Sequence, residues 1–382
     1  MSNRPIIALT AGDVAGIGPE VLVKAVLNAA VRSACHPLVI CHPKVLQRAI
    51  DLCDATQQLT IVPAPIDRLP HTPAFRSNLT AALSLTSSQT PVFCFNPATD
   101  DATDDATTAP PRKVSAAAGD AAFQYLTSAI QLARAGAVDA IATAPLNKAA
   151  LHAAGHHFPG HTEILADQCG VSDFAMMLHL PESRISTLRQ LVRTSADTDW
   201  PAQHGLSIAH VTLHTSIASV PGLLTSDGIA AKIALMHNFL NQIGCVRKSI
   251  AVCALNPHGG EDGLFGDEES RLISPAVQRF SNSRTSVTGP LPVDTLIRRA
   301  VAGEFDGVIA MYHDQGHIPV KLIGFDAAVN ITLGLPIVRT SPTHGTAFDR
   351  AWSHATPADA AGMIEAILTA TKLADAPRRA RT

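Results

Sequence analysis

The chain has 382 residues, 46% of them hydrophobic and 16% charged, with a formal net charge of −3. That length supports two domains, each with a core of its own. The charge balance excludes a nucleic-acid or anionic-membrane surface as the basis of function, and low charge with 24 glycines predicts close-packed helices and surface buried in an oligomer.

Taken in chain order, Met1-Ser-Asn-Arg-Pro5 moves straight into a strand over 6–10. There is no apolar stretch of the kind a secretory signal needs, and no segment approaches the roughly 18 apolar residues of a membrane span, so a cytoplasmic protein with no membrane partner is expected. A glycine-rich turn follows, then a helix over 19–30 and a strand over 38–41. A polar, proline-rich stretch at 63–72 precedes a short strand at 91–94. The Asp/Ala/Thr-rich segment 100–111 has little to bury and reads as an exposed flexible loop. An Ala-rich helix over 121–135, stopped by Gly136, leads to a strand over 139–144, and the same helix–Gly–Asp–strand order recurs at 300–311. The polar segment 184–205 carries Pro201 and no clear periodicity, so an inserted surface excursion is expected. A last helix over 357–372 gives way to a basic tail (Arg378, Arg379, Arg381) expected to fray. Strands alternating with longer helical patterns make this an α/β fold with a mostly parallel sheet. The seven cysteines form no Cys-x-x-Cys pair, so free thiols in a reducing compartment are expected rather than zinc or disulfides.

The turn Gly12-Asp-Val-Ala-Gly-Ile-Gly-Pro-Glu20 follows a strand and opens a helix, with Pro19 where a missing N–H costs nothing. Its spacing is not the G-x-G-x-x-G of a dinucleotide fold, and there is no Walker lysine. Two readings stay open: amides offered to an anion at a helix N-terminus, or glycines needed for sterics alone. No cofactor-binding residue can be assigned.

Three histidines stand at the exits of apolar runs: His214 after 208–213, His258 after 250–257 and His313 after 308–312. Such runs read as buried parallel strands, and ligands bind at their carboxyl ends. With 17 histidines in the chain, chance placement is the competing account for any one of them. Three imidazoles with an open position make a catalytic metal site suited to Zn²⁺, Co²⁺ or Ni²⁺. His161 in Gly160-His-Thr-Glu163 puts imidazole, the Thr162 hydroxyl and free amides at a helix start, where an anion could be anchored; the plainer reading is that Thr162 caps the helix. Lys321, Asn330 and Arg339 follow His313, and the basic pair reads as an anion clamp. Asp294 and Asp314 are candidate carboxylates behind the metal, or Asx caps.

The segments Gly12–Glu20, Gly160-His-Thr-Glu163, Leu255-Asn-Pro-His-Gly-Gly-Glu261, Gly289-Pro-Leu-Pro-Val-Asp294, Tyr312-His-Asp-Gln-Gly316 and Asn330-Ile-Thr-Leu-Gly-Leu-Pro336 together resemble the 4-hydroxythreonine-4-phosphate dehydrogenase (PdxA) family of pyridoxal phosphate biosynthesis, in order from about residue 5 to 370. The resemblance implies two α/β/α domains around a central cleft, like the isocitrate and isopropylmalate dehydrogenases. The expected first domain spans 1–145 and 316–382 and the second, with metal ligands and dimer contacts, 146–315. It implies a homodimer with the active site at the subunit interface, NAD or NADP, and a divalent metal (Zn, Mg or Co) on His214, His258 and His313, the last reaching the partner's site. His161, Thr162, Lys321, Asn330 and Arg339 match substrate contacts. The implied reaction oxidises 4-phosphooxy-L-threonine at C3 to 2-amino-3-oxo-4-phosphooxybutanoate, which decarboxylates to 3-amino-2-oxopropyl phosphate. Asp294, or else Lys148 of Ala144-Pro-Leu-Asn-Lys148, is the expected general base.

Two departures bear on substrate. The family pattern at the first ligand has an arginine where this chain reads Thr212-Leu-His-Thr-Ser-Ile-Ala218, and the stretches 184–205 and near 105 are longer than usual. Both leave room for a related dehydrogenase of 4-phospho-erythronate or 4-phospho-threonate. From other classes, a metal-dependent hydrolase or lyase using the same histidines and an inactive scaffold are the alternatives.

Overall fold

The computed structural model describes residues 4–64, 90–97, 105–194, 200, 204–281 and 285–379. In chain order its strands are β1 (Ile6–Thr10), β2 (His36–Ile40), β3 (Leu59–Pro63), β4 (Thr90–Phe95), β5 (Ala140–Thr143), β6 (Ala175–Leu180), β7 (Leu206–His210), β8 (Ser249–Cys253), β9 (Ser286–Leu291), β10 (Gly307–Ala310), β11 (Val329–Leu333) and β12 (Arg339–Pro342). The chain divides into two compact units, Met1–Ser172 with Leu335–Thr382, and Asp173–Gly334. The α/β class is as the sequence predicts.

In the first unit the strands run β3-β4-β2-β1-β5-β12, and every neighbouring pair is parallel. All of β1 and β5 is buried, as expected for parallel strands covered on both faces. The Ala116–Arg134 helix starts earlier than the alanine pattern suggests because Ser115 caps it, accepting from Ala118 N. The helix expected over 19–30 is two helices, Gly18–Leu27 and Ala29–Ala34. Asn28 is extended between them, and its side chain caps the second by accepting from Ala30 N. Part of the expected loop 100–111 is a short helix, Asp105–Thr108, followed by buried Ala109; residues 100–104 and 65–72 lie outside the described residues. The last helix spans Ala361–Arg379, so the tail prolongs it through Arg379 rather than following it; Arg381 lies outside the described residues.

The second unit has the order β11-β6-β7-β10-β8-β9. β7, β10, β8 and β9 are mutually parallel neighbours, while β6 runs antiparallel to both β11 and β7. The first half of the expected excursion 184–205 is regular structure, the Glu182–Val192 helix. Ile185 joins the apolar core of this unit. Arg189 is buried beside it because its guanidinium is satisfied by both Glu182 carboxylate oxygens and by Val301 O. One paired arginine explains why a polar sequence packs inward. Residues 195–199 and 201–203 are outside the described set.

The boundaries fall later than the expected 145/146 and 315/316. The Lys148–Ala153 and His161–Cys169 helices pack on the Ala116–Arg134 helix, so they belong to the first unit. The His313–Gly324 helix packs on β6 and β7 and β11 pairs with β6, which keeps 316–334 in the second. No helix among the described residues is long and apolar enough to cross a membrane.

Candidate active site

The glycine turn is shaped by sterics. Four of its amides are used internally: Asp13 N donates to Pro145 O, Ala15 N to Asp13 Oδ1, Gly16 N to Asp13 O and Ile17 N to Thr346 O. A Cβ at Gly12 would meet Pro145 O at 2.2 Å, at Gly16 Thr346 O at 2.8 Å and at Gly18 Ala11 O at 2.0 Å. The glycines let strand, loop and helix approach each other.

In the first unit Arg339 opens β12 beside β5 and is only 2% exposed. Its Nη2 donates to Thr143 Oγ1 at 2.8 Å. Burial pushes its pKa down to about 9, against the opposing pull of the Glu163 carboxylate. His161 starts the His161–Cys169 helix, which carries Glu163 in its first turn. Burial lowers the His161 pKa well below the usual imidazole value; the Arg339 charge adds to this, and a hydrogen bond to the Ala144 backbone opposes it. The residue preceding the helix is Gly160, which has no side chain to cap it, and Thr162 is a buried residue inside it. Capping therefore does not explain Thr162. Lys148 is exposed at the start of its helix, and its Cε lies 3.8 Å from where a Cβ on Gly160 would stand. A cation, a neutral imidazole and a buried threonine thus share one corner of this unit, a set that suits an anionic group.

In the second unit the three histidines follow β7, β8 and β10, the adjacent parallel strands. His214 and His313 have ring centroids 5.8 Å apart and line one cavity of about 420 Å³ with Tyr312 and Asp314. His258 stands apart on an exposed turn. Among the described residues of one chain, no three His, Cys, Asp or Glu side chains gather closely enough to hold a metal. His313 Nδ1 is hydrogen-bonded to Asp314 Oδ1 at 2.7 Å, an acceptor that favours the proton on Nδ1 and leaves Nε2 as the lone pair a metal would use. His258 Nδ1 lies 3.3 Å from Glu261 Oε2.

The rest of His313-Asp-Gln-Gly316 builds this corner. Gln315 is buried, its Oε1 accepting from Met311 N and its Nε2 donating to Ala254 O, which ties the ends of β10 and β8 together. At Gly316 a Cβ would lie 2.3 Å from His210 Nε2. Lys321 lies two turns along the same helix, with Nζ 5.9 Å from the centroid of the Phe325 ring. Asn330 sits on β11, and among the described residues its buried Oδ1 has no hydrogen-bond partner, which suits it to accept from a ligand. Asp294 is exposed at the head of the Val293–Ala302 helix, with Oδ1 accepting from Thr295 N at 2.8 Å.

Two histidines escaped the sequence reading: His210, the last residue of β7, and His317, one turn after His313. Both are buried, and their pKa values fall to about 4 and about 3, desolvation being the main cause. The signal was present, as a lone histidine within the apolar run 208–213 and an i, i+4 pair with His313.

This is an α/β protein whose first unit brings Arg339 beside His161 and whose second unit carries His214, His258 and His313 after three adjacent parallel strands. The model of the family named pyridoxal phosphate biosynthetic protein PdxA matches residues 33–370, and the chain belongs to that family. It is 40% identical to the D-threonate 4-phosphate dehydrogenase of Cupriavidus necator over 97% of both chains. It is also 40% identical to the 4-hydroxythreonine-4-phosphate dehydrogenase of Desulfosudis oleivorans over 91% of this chain and 90% of that one. The crystal structure of 4-hydroxythreonine-4-phosphate dehydrogenase from Klebsiella pneumoniae matches with a TM-score of 0.76 and 38% identity over 97% of this chain and all of that one. The chain is thus an enzyme of a dehydrogenase family.

Proposed function

We propose that the protein oxidises the C3 hydroxyl of 4-phosphooxy-L-threonine with NAD or NADP and a divalent metal, giving 2-amino-3-oxo-4-phosphooxybutanoate, which loses CO₂ to leave 3-amino-2-oxopropyl phosphate. The observation that carries this reading is the placement of His214, His258 and His313 at the carboxyl ends of adjacent parallel strands in a chain of this family. When bound, the metal ion lowers the pKa of a coordinated hydroxyl and the nicotinamide accepts a hydride. The chain's residues do the rest. Arg339, Lys321, His161 and Thr162 hold the phosphorylated substrate, and Asn330 offers its open acceptor to a substrate donor. Such grips place C3 rather than react with it. Asp294 accepts the hydroxyl proton, one oxygen being spent on its own helix and the other left over; Lys148, against the Gly160–His161 turn, is the second candidate.

The working form in this reading is a homodimer in which His313 serves the neighbouring copy's metal. Supporting it is an apolar stripe on the helix that His313 begins: Ile318, Leu322 and Phe325 are 61%, 85% and 55% exposed, an area that a monomer has reason to cover. D-threonate 4-phosphate is a second substrate reading, favoured by the equal identity to the Cupriavidus enzyme.

The test is nicotinamide reduction by purified, metal-loaded protein with 4-phosphooxy-L-threonine, D-threonate 4-phosphate and 4-phospho-erythronate, with and without chelator. Chelator-sensitive reduction with the first as the best substrate is expected. A kcat/KM thousands-fold higher for a sugar-acid phosphate would move the substrate assignment, and consumption of substrate without nicotinamide reduction would make the protein a hydrolase or lyase.

A further inference from the structure

His210 and His317 are buried beside two of the assigned metal ligands, and neither has a task in the reading above. A chain of bonds links them. His210 Nδ1 lies 3.2 Å from Met176 O; a carbonyl only accepts, so this nitrogen carries the proton and His210 Nε2 is a lone pair. His317 Nδ1 stands 3.2 Å from that Nε2 and 3.1 Å from His313 O. Both are acceptors, so His317 Nδ1 must be the donor. The His317 ring, held by this edge, lies face to face with His313, with centroids 3.6 Å apart and planes 11° from parallel. Gly316 is what leaves room for His210, since any Cβ there would strike its Nε2.

We infer that His317, anchored through His210 to the β6 backbone, is a positioning residue that sets the ring plane of His313. Asp314 settles which nitrogen of His313 carries the proton; His317 covers one face of the ring and blocks its rotation, so that Nε2 points in one direction. A residue that merely filled space here would serve better as Leu or Phe, because burying two imidazoles costs free energy unless their nitrogens are bonded. The inference rests on the assignment of His313 as a metal ligand, and the experiment separates the two.

The full-length protein is labelled with ¹⁵N-histidine, and the ring tautomers are read from long-range ¹⁵N–¹H spectra without metal. Co²⁺ affinity is then measured by chelator competition, together with its visible absorption bands. In the wild type His210, His317 and His313 are each expected in the Nδ1–H form. H317Q keeps a donor for His210 but removes the ring, freeing the His313 imidazole to turn away from Asp314; it is expected to leave His313 in mixed tautomers, weaken Co²⁺ binding by about 10- to 100-fold and alter the visible bands. H317F restores a ring over His313 and should recover most of the affinity. Thermal unfolding reports on folding, and if H317Q fails to fold, H210F decides the same point by releasing the anchor. Variants that lose stability while Co²⁺ affinity, bands and His313 tautomer stay as in the wild type would overturn the inference. A wild type that binds no Co²⁺ would overturn the metal assignment instead, and the His313 tautomer in H317Q would still decide the positioning role.

Discussion

Arg339 carries a guanidinium into a place where almost none of it meets solvent, and its pKa drops to about 9 as a result. Inside the protein its charge is met by Thr143 Oγ1 and by the pull of the Glu163 carboxylate. R339M removes the anion grip and strands that carboxylate. Its ligand-free melting temperature should fall below that of the wild type, and the stabilisation that inorganic phosphate gives the wild type should disappear. A variant still stabilised by phosphate to the same degree would put the anion elsewhere. Asp13 is the second group under strain: its Oδ1 accepts from Ala15 N, but its buried Oδ2 has no partner among the described residues, and burial raises its pKa from 3.8 to about 6. Between those values the folded protein holds a proton that the unfolded chain has released. Stability is therefore greatest below the lower value, falls as pH rises through the upper one and is level above it. D13N keeps the acceptor for Ala15 and removes the charge, so urea unfolding should show a gain of about 2 kcal/mol near neutral pH and none at about pH 4. Neither group's burden was legible in the sequence. Arg339 could be singled out as a cation after an apolar run, but its burial depends on β5 lying beside β12.

At the scale of elements, the turn carrying His258 concentrates backbone strain. His258, Gly259, Gly260, Glu261 and Asp262 all have positive φ, a run that costs non-glycine residues roughly 1–2 kcal/mol each. Buried Glu269 supports its entry, with Oε1 accepting from Leu255 N and Asn256 N at 2.8 Å and Oε2 from Asn256 Nδ2 at 3.0 Å. E269A should cost about 3 kcal/mol, since Leu255 N and Asn256 N lose their charged acceptor while Asn256 Nδ2 keeps only Glu268 Oε2. Hydrogen exchange at 255–262 should rise well before the rest of the second unit opens; unchanged protection there would mean that the turn holds itself. The Pro-His-Gly-Gly sequence announced a special loop because glycine clusters do, but a left-handed path through His258 and Glu261 has no sequence signal. The same limit applies to the 184–205 segment, where a single arginine bonded to Glu182 and Val301 O turned an apparently polar stretch into a packed helix.

For the whole molecule, the proposed homodimer would cover the exposed stripe of Ile318, Leu322 and Phe325. L322E changes a side chain 85% exposed in the single chain, so the fold should survive. Sedimentation should show a shift from dimer to monomer, and metal-dependent activity should fall with it. A monomeric variant of full activity would refute the shared site; a dimer that persists would place the interface on another face.

The sequence by itself determined the α/β class, the family and the strand-end positions of His214, His258 and His313, because apolar periodicity and local motifs are short-range properties. Tertiary structure decided what those residues face. It showed the glycine turn to be a close-packed steric device with four amides used internally, buried Arg339 beside His161, and added the His210–His317 pair. Each of these results from strands that are distant in sequence becoming neighbours, as β7, β10 and β8 do in one unit and β5 and β12 in the other. No local pattern encodes that neighbourhood, because it is set by which surfaces bury best against each other.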